Sequence, residues 1–173
     1  MAPQRAVTYS IRVVTPSDVP SLARLHLHTA LTAYADIFPT DAPKPVLADT
    51  EGRWARYLSE GVGWLASEGG EVVGMAALVP AERHGGSLES VYVDPLRWGR
   101  GIGDALADTA EAEAVARGWL PLHLWVLEAN HRARQWYERR GWGMDPSARR
   151  TVWGSVVDLG YVLTQEGVSR WQR

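Results

Sequence analysis

The chain has 173 residues, of which 46% are hydrophobic and 22% charged, and its formal net charge is −2. This composition is typical of one soluble globular domain with its own core, and the weak acidic charge gives no attraction for nucleic acid or an anionic membrane. The chain contains no cysteine, which excludes disulfides, thiolate metal ligands and a covalent cysteine intermediate.

The sequence gives no sign of a targeting or membrane-spanning segment. The first ten residues lack the continuous apolar stretch of a signal peptide, and no window reaches the roughly 18 apolar residues that a membrane span needs. We therefore expect a cytoplasmic protein with no membrane or nucleic-acid partner. Without repeats or a long linker, residues 1–173 are predicted to form a single domain with its core at about 8–163.

The first predicted elements are a strand and two helices. Thr8–Val14 predicts a short strand, and Thr15–Asp18 is typical of a helix start. Prolines at 39, 43 and 45 indicate that this helix ends in an exposed loop. A second helix is predicted at Glu51–Ser59.

Three strands are predicted next. Trp64–Ser67 and Glu71–Val79 are separated by two glycines, which predicts a hairpin. The strand Ser87–Val93 follows and ends before an Asp-Pro pair.

Helices and strands alternate in the second half of the chain. Apolar residues recur at helical spacing over Ile102–Arg117, and Gly118 caps this helix. The remaining predicted elements are the strand Leu122–Val126, the helix Asn130–Arg140 capped by Gly141, and a final strand pair, Val152–Trp153 and Val156–Leu163.

Three glycines, Gly99, Gly101 and Gly103, stand between the strand Ser87–Val93 and the helix that follows. Glycine tolerates positive φ and lets a ligand approach the backbone. The N–H groups at a helix N-terminus are unpaired and lie at the positive end of the helix dipole. This combination favours a phosphate or diphosphate ligand, to which Arg97 and Arg100 would add charge-assisted hydrogen bonds.

Two other phosphate-binding loops do not match this turn. A P-loop needs Gly-Lys-Ser/Thr, but Asp104 follows the glycines here. A dinucleotide fingerprint needs G-x-G-x-x-G, and Asp104 occupies the position of its third glycine. A tight turn that only caps the helix is the structural alternative.

This turn and a second motif together resemble the GNAT superfamily of N-acetyltransferases. The pattern P-x-x-x-G-x-G-x-G after a strand is similar to the loop that binds the diphosphate of acetyl-CoA. NHRARQWYERRGW, Asn130–Trp142, resembles the second motif, N-x-x-A-x-x-F/W-Y-x-x-x-G-F/W. The two motifs stand at the family's usual separation, and the order of elements over Thr8–Leu163 also matches.

The resemblance implies a fold, a co-substrate and a set of binding residues. The implied fold is mixed α/β (α+β): a mostly antiparallel, twisted sheet of about six or seven strands, flanked by about four helices and splayed between the fourth and fifth strands. Acetyl-CoA is the implied co-substrate, and no metal is needed. The residues expected to contact the coenzyme are Val91, Tyr92, Val93, Trp98, Gly99, Arg100, Gly101, Ile102, Gly103, Asp104, Asn130 and Tyr137.

One position of the glycine turn departs from the family pattern. The family usually has Arg or Gln three residues after the proline, and this chain has Trp98. Because an indole carries no charge, anion binding is expected from the backbone amides and from Arg97 or Arg100.

The resemblance also assigns roles within the second motif. Asn130 is a preferred helix N-cap, and the matching Asn of the family contacts the pantetheine. Tyr137 is expected to protonate the leaving thiolate; the alternative is a core tyrosine whose hydroxyl is hydrogen-bonded. The arginines of this helix are interpreted as a solvated face, the first two being candidates for the CoA 3′-phosphate: Arg132, Arg134, Arg139 and Arg140.

A general base is needed because an ammonium group has no free lone pair. Strand alternation puts Glu89 on one face with Val91 and Val93, and Tyr92 on the other. A partly desolvated carboxylate suits a base, and a Glu on this strand is a frequent base in the family. An exposed or ion-paired carboxylate is the structural alternative. The reserve candidates for the base are Glu82 and His84.

The same strand is expected to bind the coenzyme through its backbone. In the family, the positions that match Val91 and Val93 pair with the pantetheine amides, and an N–H near Val91 could polarise the acetyl carbonyl. The predicted reaction is direct attack of the amine on the thioester, with Glu89 as base and Tyr137 as acid.

The acceptor is only weakly indicated. Residues 31–39, LTAYADIFP, resemble a segment of small-molecule acetyltransferases, which favours a small amine over a protein N-terminus or a lysine. Aromatic residues could line the acceptor pocket or only fill the core: Tyr34, Phe38, Trp54, Tyr57, Trp64 and Trp153.

Other functions stay open on the sequence alone. Trp98 motivates a CoA-binding regulatory or interaction protein on the same fold, and the motifs do not exclude a protein N-terminal or lysine acetyltransferase. Another acyl donor, such as succinyl-CoA, also stays open. The apolar C-terminal strands leave a homodimer open.

Overall fold

The structure, a computed structural model, describes residues 8–82 and 84–168. Its helices are α1 (Val19–Ala33), α2 (Leu47–Glu60), α3 (Ile102–Ala116), α4 (His131–Arg139) and α5 (Gln165–Val168). Its strands are β1 (Ser10–Val13), β2 (Val62–Glu68), β3 (Glu71–Pro80), β4 (Gly86–Val93), β5 (Leu122–Leu127), β6 (Gly143–Val152) and β7 (Val156–Leu163).

The strands of the described residues form one sheet in the order β1-β2-β3-β4-β5-β7-β6. Neighbouring strands are antiparallel except β4 and β5, which run parallel and pair only at Gly86 with Leu122 and at Ser87 with His123. The rest of these two strands is not paired with each other. We call the opening between residues 88–93 of β4 and 124–127 of β5 the cleft; the predicted splay and the predicted mixed sheet are confirmed.

Helices cover both faces of the sheet. One buried cluster packs α3 and α4 against the sheet and includes Leu106 and Tyr137. The other packs α1 and α2 and includes Leu22 and Trp54. Along β3, residues 75, 77 and 79 belong to the α1–α2 cluster and residues 76 and 78 to the other, the alternation expected of a strand buried on both faces.

A β-bulge in β4 changes which side chains share a face. Ala77 pairs with Glu89 and Met75 pairs with Tyr92, so Ser90 and Val91 together oppose one residue of β3. Ser90 has φ of 55°, a left-handed conformation that is uncommon outside glycine. The bulge puts Glu89 on the side of the α1–α2 cluster with Tyr92. The prediction that Glu89 shares a face with Val91 and Val93 was therefore wrong, because it assumed unbroken alternation.

Most predicted elements are present with shifted ends. The helix predicted from Glu51 begins at Leu47, and the turn at Thr15 enters α1 through a short 3-10 turn. The first strand of the final predicted pair was predicted too far along the chain, because β6 begins at Gly143 rather than at Val152. β6 is an edge strand, mostly exposed and rich in polar residues, and its register shifts after Met144, so it lacks the alternation that identifies a strand.

No helix in the described parts of the chain has both the length and the apolar character required to cross a bilayer.

Candidate active site

The glycine turn links β4 to α3 at the open end of the cleft. Asp94 accepts a hydrogen bond from the backbone N–H of Leu96 (3.0 Å) and so begins a short 3-10 turn. Gly99 and Gly101 both have φ of 77°, which a side chain would strain. Glycine is therefore required at these two positions by the path of the backbone.

The backbone amides of this turn are available to a ligand. Within the described residues, the N–H groups from Gly99 to Asp104 donate no hydrogen bond to the protein, and the first helical bond of α3 is from Ala105 to the carbonyl of Gly101 (3.0 Å). They lie at the positive end of a helix of 15 residues. This geometry is suited to a diphosphate. Of the predicted contacts, Ile102 has a buried side chain and offers only its N–H.

The two arginines of the turn are already engaged. Arg97 forms ion pairs with Asp94 (2.8 Å), Glu68 and Glu71 (3.2 Å each), and Arg100 with Glu68 (3.2 Å). Both guanidinium groups were expected to bind the anion. In the structure, acidic side chains of the β2–β3 hairpin compete with an anion for them. Among the described residues, the backbone amides are therefore the donors of the turn that have no protein partner.

Trp98 performs a structural task in the turn. Its indole N–H donates to the carbonyl of Val93 (2.8 Å), which fixes the turn against the end of β4. The guanidinium carbon of Arg132 lies 3.8 Å from the centre of its ring, in cation–π contact. Of the two candidates for the CoA 3′-phosphate, Arg132 is thus held beside the turn, whereas Arg134 is bonded to Tyr161 and the carbonyl of Glu128.

The second motif places Tyr137 on the face of α4 that is buried against the sheet. Asn130 caps α4 as predicted, because its Oδ1 accepts from the N–H of Ala133 (3.2 Å). The Tyr137 ring is 9% exposed and packs edge-on against Trp136 and Trp142, with ring centres 4.8 and 5.7 Å apart. Among the described residues, none forms a hydrogen bond with the Tyr137 hydroxyl.

Three tyrosines converge behind the bulge of β4. The hydroxyls of Tyr34 and Tyr92 are 3.2 Å apart. Burial raises the pKa of Tyr137, and the nearby Tyr92 raises it further. Burial also raises the pKa of Tyr34, and the nearby Tyr137 and Asp158 raise it further. These hydroxyls therefore remain protonated at neutral pH.

Glu89 is half-buried and held by two hydroxyls. Ser87 donates to its Oε1 (2.7 Å) and Tyr57 to its Oε2 (3.2 Å). Burial, with the neighbouring Glu89 carboxylate, raises the pKa of Tyr57 to about 12, so Tyr57 stays a donor. The reserve candidates Glu82 and His84 are exposed and precede the paired, closed end of β4, away from the glycine turn.

The aromatic residues divide into two groups. Trp54, Tyr57 and Trp64 are buried and fill the core. Tyr34, Phe38 and Trp153 are half-buried and contact one another, with Phe38 and Trp153 ring centres only 4.4 Å apart. We call this second group the aromatic bridge, because it joins the segment after α1 to the β6–β7 turn.

Sequence reasoning missed the burial of Arg140. Its side chain is 4% exposed and contacts three carboxylates of α3: Asp104 (3.3 Å), Asp108 (2.6 Å) and Glu111 (3.0 Å). The interpretation of Arg140 as part of a solvated face was wrong. The spacing 104, 108 and 111 puts the acids on one face of α3, and this signal could have identified a buried partner.

Comparisons with known proteins agree with this geometry. Residues 27–142 match the acetyltransferase (GNAT) family. The chain is 26% identical over 126 residues to the N-acetyltransferase YuaI of Bacillus subtilis, covering 70% of this chain and 73% of that protein.

Solved structures show the same fold. The PaiA N-acetyltransferase of Thermoplasma acidophilum, solved in complex with coenzyme A, superposes with a TM-score of 0.72 at 16% identity, over 88% of this chain and 98% of that one. The ribosomal-protein-alanine N-acetyltransferase of Brucella melitensis has a TM-score of 0.69 at 22% identity, over 90% and 99%. The chain belongs to the GNAT family of N-acetyltransferases, whose members use acetyl-CoA as co-substrate.

Proposed function

We propose that the protein transfers an acetyl group from acetyl-CoA to the primary amine of a small molecule, with Glu89 as general base and Tyr137 as general acid. The observation that carries this proposal is the run of free amides from Gly99 to Asp104 at the open end of the cleft, together with the Tyr137 hydroxyl, which bonds to none of the described residues.

The coenzyme would be held mainly by backbone groups. The amides of the turn would bind the diphosphate, and Arg132 stands beside them in contact with Trp98. The edge of β4 that is not paired with β5 would bind the pantetheine at Val91 and Val93 as an added strand, where the Val93 carbonyl already accepts from Trp98.

The reaction is a direct transfer. The amine nitrogen forms a bond to the acetyl carbon while the carbon–sulfur bond breaks, so no acyl-enzyme is needed. Glu89 takes the proton of the ammonium group before the attack. The departing thiolate takes a proton from the Tyr137 hydroxyl, and the second proton lost by the nitrogen restores that hydroxyl, so that only the proton on Glu89 passes to solvent. The Tyr137 hydroxyl is protonated at neutral pH and so is available as the donor, and burial, which raises its pKa, makes it a weaker acid than an exposed tyrosine.

The aromatic bridge supports a small acceptor. Its members lie on the segment after α1 and in the β6–β7 turn, and Tyr34 is bonded to Tyr92 of β4 at the cleft. Rings in contact with one another on this side favour a compact acceptor over an extended polypeptide chain. They also offer the faces that an amine with an apolar body would contact.

The variant Tyr137→Phe tests the acid role. We expect kcat to fall about a hundredfold, the usual contribution of a general acid, with acetyl-CoA affinity unchanged by calorimetry. Tyr161→Phe is the matched control, because that hydroxyl is bonded to Arg134 and Glu138 instead of being free. The acid role is excluded if Tyr137→Phe turns over amines at the unaltered rate.

Acceptor class is tested separately, by measuring thiol release with primary amines and with short peptides. Rates at least as high with peptide N-termini would contradict the small-molecule acceptor but leave acetyl transfer intact.

A further inference from the structure

Arg140, itself buried, contacts three carboxylates of α3, of which Glu111 is buried and Asp104 and Asp108 are exposed. Glu111 is itself 5% exposed, and the guanidinium group of Arg140 is within 3.0 Å of its Oε2. Burial raises the pKa of Glu111, and the charge of Arg140 opposes that rise. A buried carboxylate of this kind is costly without a cationic partner, so Arg140 is required to keep α3 and α4 together as they stand.

The same carboxylates hold the two indoles that enclose Tyr137. The Trp136 N–H donates to Asp104 (2.9 Å), and the Trp142 N–H donates to Glu111 (3.1 Å). Both indole rings pack edge-on against the Tyr137 ring. Arg140 therefore binds the two acceptors that fix the walls around Tyr137.

These contacts connect the two parts of the active site. α3 begins at the glycine turn, and Asp104 lies in its first turn, while α4 carries Tyr137. We propose that Arg140 is a positioning residue, which sets the Tyr137 hydroxyl against the amides of the glycine turn through Asp104 and Glu111. This inference rests on the acid role proposed for Tyr137.

A double-mutant cycle in kcat tests the inference. Arg140→Met should lower kcat about tenfold or more, because small displacements of a catalytic group are costly, while the KM for acetyl-CoA changes little. In the Tyr137→Phe background, Arg140→Met should lower kcat no further, since its effect passes through that hydroxyl. If the two factors multiply, Arg140 does not act through Tyr137 and the inference is overturned.

Two further variants complete the experiment. Arg117→Met is the matched control, because Arg117 pairs with Glu113 of the same helix at an exposed site and should leave kcat unchanged. Arg140→Lys keeps the charge but loses the planar fork that reaches several carboxylates. Arg140→Lys should lower kcat less than Arg140→Met does, and it too should lower kcat no further in the Tyr137→Phe background. It replaces Arg140→Met in the cycle if that variant does not fold. An unchanged kcat in Tyr137→Phe alone would instead contradict the proposed acid role, which separates the two failures.

Discussion

The coenzyme side of the cleft is formed by consecutive residues of one turn, whereas the acceptor side is assembled from segments far apart in the chain. The glycine turn works through backbone N–H groups whose direction is set by φ of 77° at Gly99 and Gly101. The proposed acceptor side would work through the rings of Tyr34, Phe38 and Trp153, which meet only in the folded protein. The first depends on local conformation and the second on tertiary packing, so the two sides should respond to different changes.

The largest expected effect comes from the backbone of the turn. Gly101→Val should lower kcat/KM for acetyl-CoA roughly a hundredfold, because a β-branched residue at positive φ costs on the order of 1–3 kcal/mol and would turn the amides away from the ligand. Steady-state kinetics with varied acetyl-CoA would measure the change.

The matched control for this variant is Gly118→Val. Gly118 has φ of 69° at the other end of α3, with open space around it. Equal losses from both variants would show that strain alone, not the amides, accounts for the result.

The buried His26, which packs on the acceptor side of the cleft, should make the stability of the protein sensitive to acid. Burial lowers the pKa of His26 to about 3 from an ordinary value of 6.5; its Nδ1 accepts from Trp54 (3.2 Å), and its ring packs on Tyr92. Between pH 6.5 and 3, His26 takes up a proton only in the unfolded state. The contribution of neutral His26 to the stability of the folded protein is therefore complete above pH 6.5 and is lost as pH falls toward 3. From pH 6.5 to 5 the free energy of unfolding should fall by about 2 kcal/mol, at about 1.4 kcal/mol per pH unit.

His26→Gln isolates this contribution in denaturant titrations at several pH values. Glutamine can still accept from Trp54 but does not titrate, so the pH slope should become smaller. His123 and Glu111 also have shifted pKa values, but both residues are present in the unaltered protein and in the variant. Their contributions therefore cancel in the difference between the two pH slopes. Identical slopes would show that His26 is not the group responsible.

Removing one ring of the aromatic bridge should affect the acceptor alone. Trp153→Ala should raise the KM for the amine about tenfold, since an aromatic pair contributes about 0.5–1.5 kcal/mol beyond its buried area. The KM for acetyl-CoA should not change, and short peptides should become better acceptors. Trp119→Ala is the control, a half-buried Trp beyond α3 that packs on Arg117. A shift in acetyl-CoA kinetics instead would contradict the separation of the two sides.

The smallest expected effect concerns Trp98. Trp98→Phe keeps a ring for Arg132 but removes the N–H that donates to Val93. Loss of one such bond costs about 1 kcal/mol, so acetyl-CoA should bind about fivefold more weakly by calorimetry. Unaltered affinity would show that the indole N–H does not support the turn.

The sequence predicted the glycine turn well, because its signals are local. The spacing of Gly99, Gly101 and Gly103 between a strand and a helix indicates the turn without knowledge of any distant contact. The caps Asn130 and Gly118 were predicted for the same reason, since capping depends on a few neighbouring residues.

The features that the sequence did not predict all depend on tertiary contacts. The bulge at Ser90 puts Glu89 on the opposite face of the sheet from the predicted one. No residue type in this segment indicates that a serine adopts a left-handed conformation. β6 lacked alternation because it is an exposed edge. Arg140 was misplaced because its burial depends on three carboxylates of another helix, and the division of the aromatic residues depends on loop packing.

The structure of the protein with coenzyme A bound tests the central claim most directly. We expect the diphosphate within hydrogen-bonding distance of the backbone amides from Gly99 to Asp104, and the sulfur beside the hydroxyl of Tyr137. A diphosphate bound elsewhere, with those amides still without a ligand, would contradict the account of both the coenzyme site and the acid role.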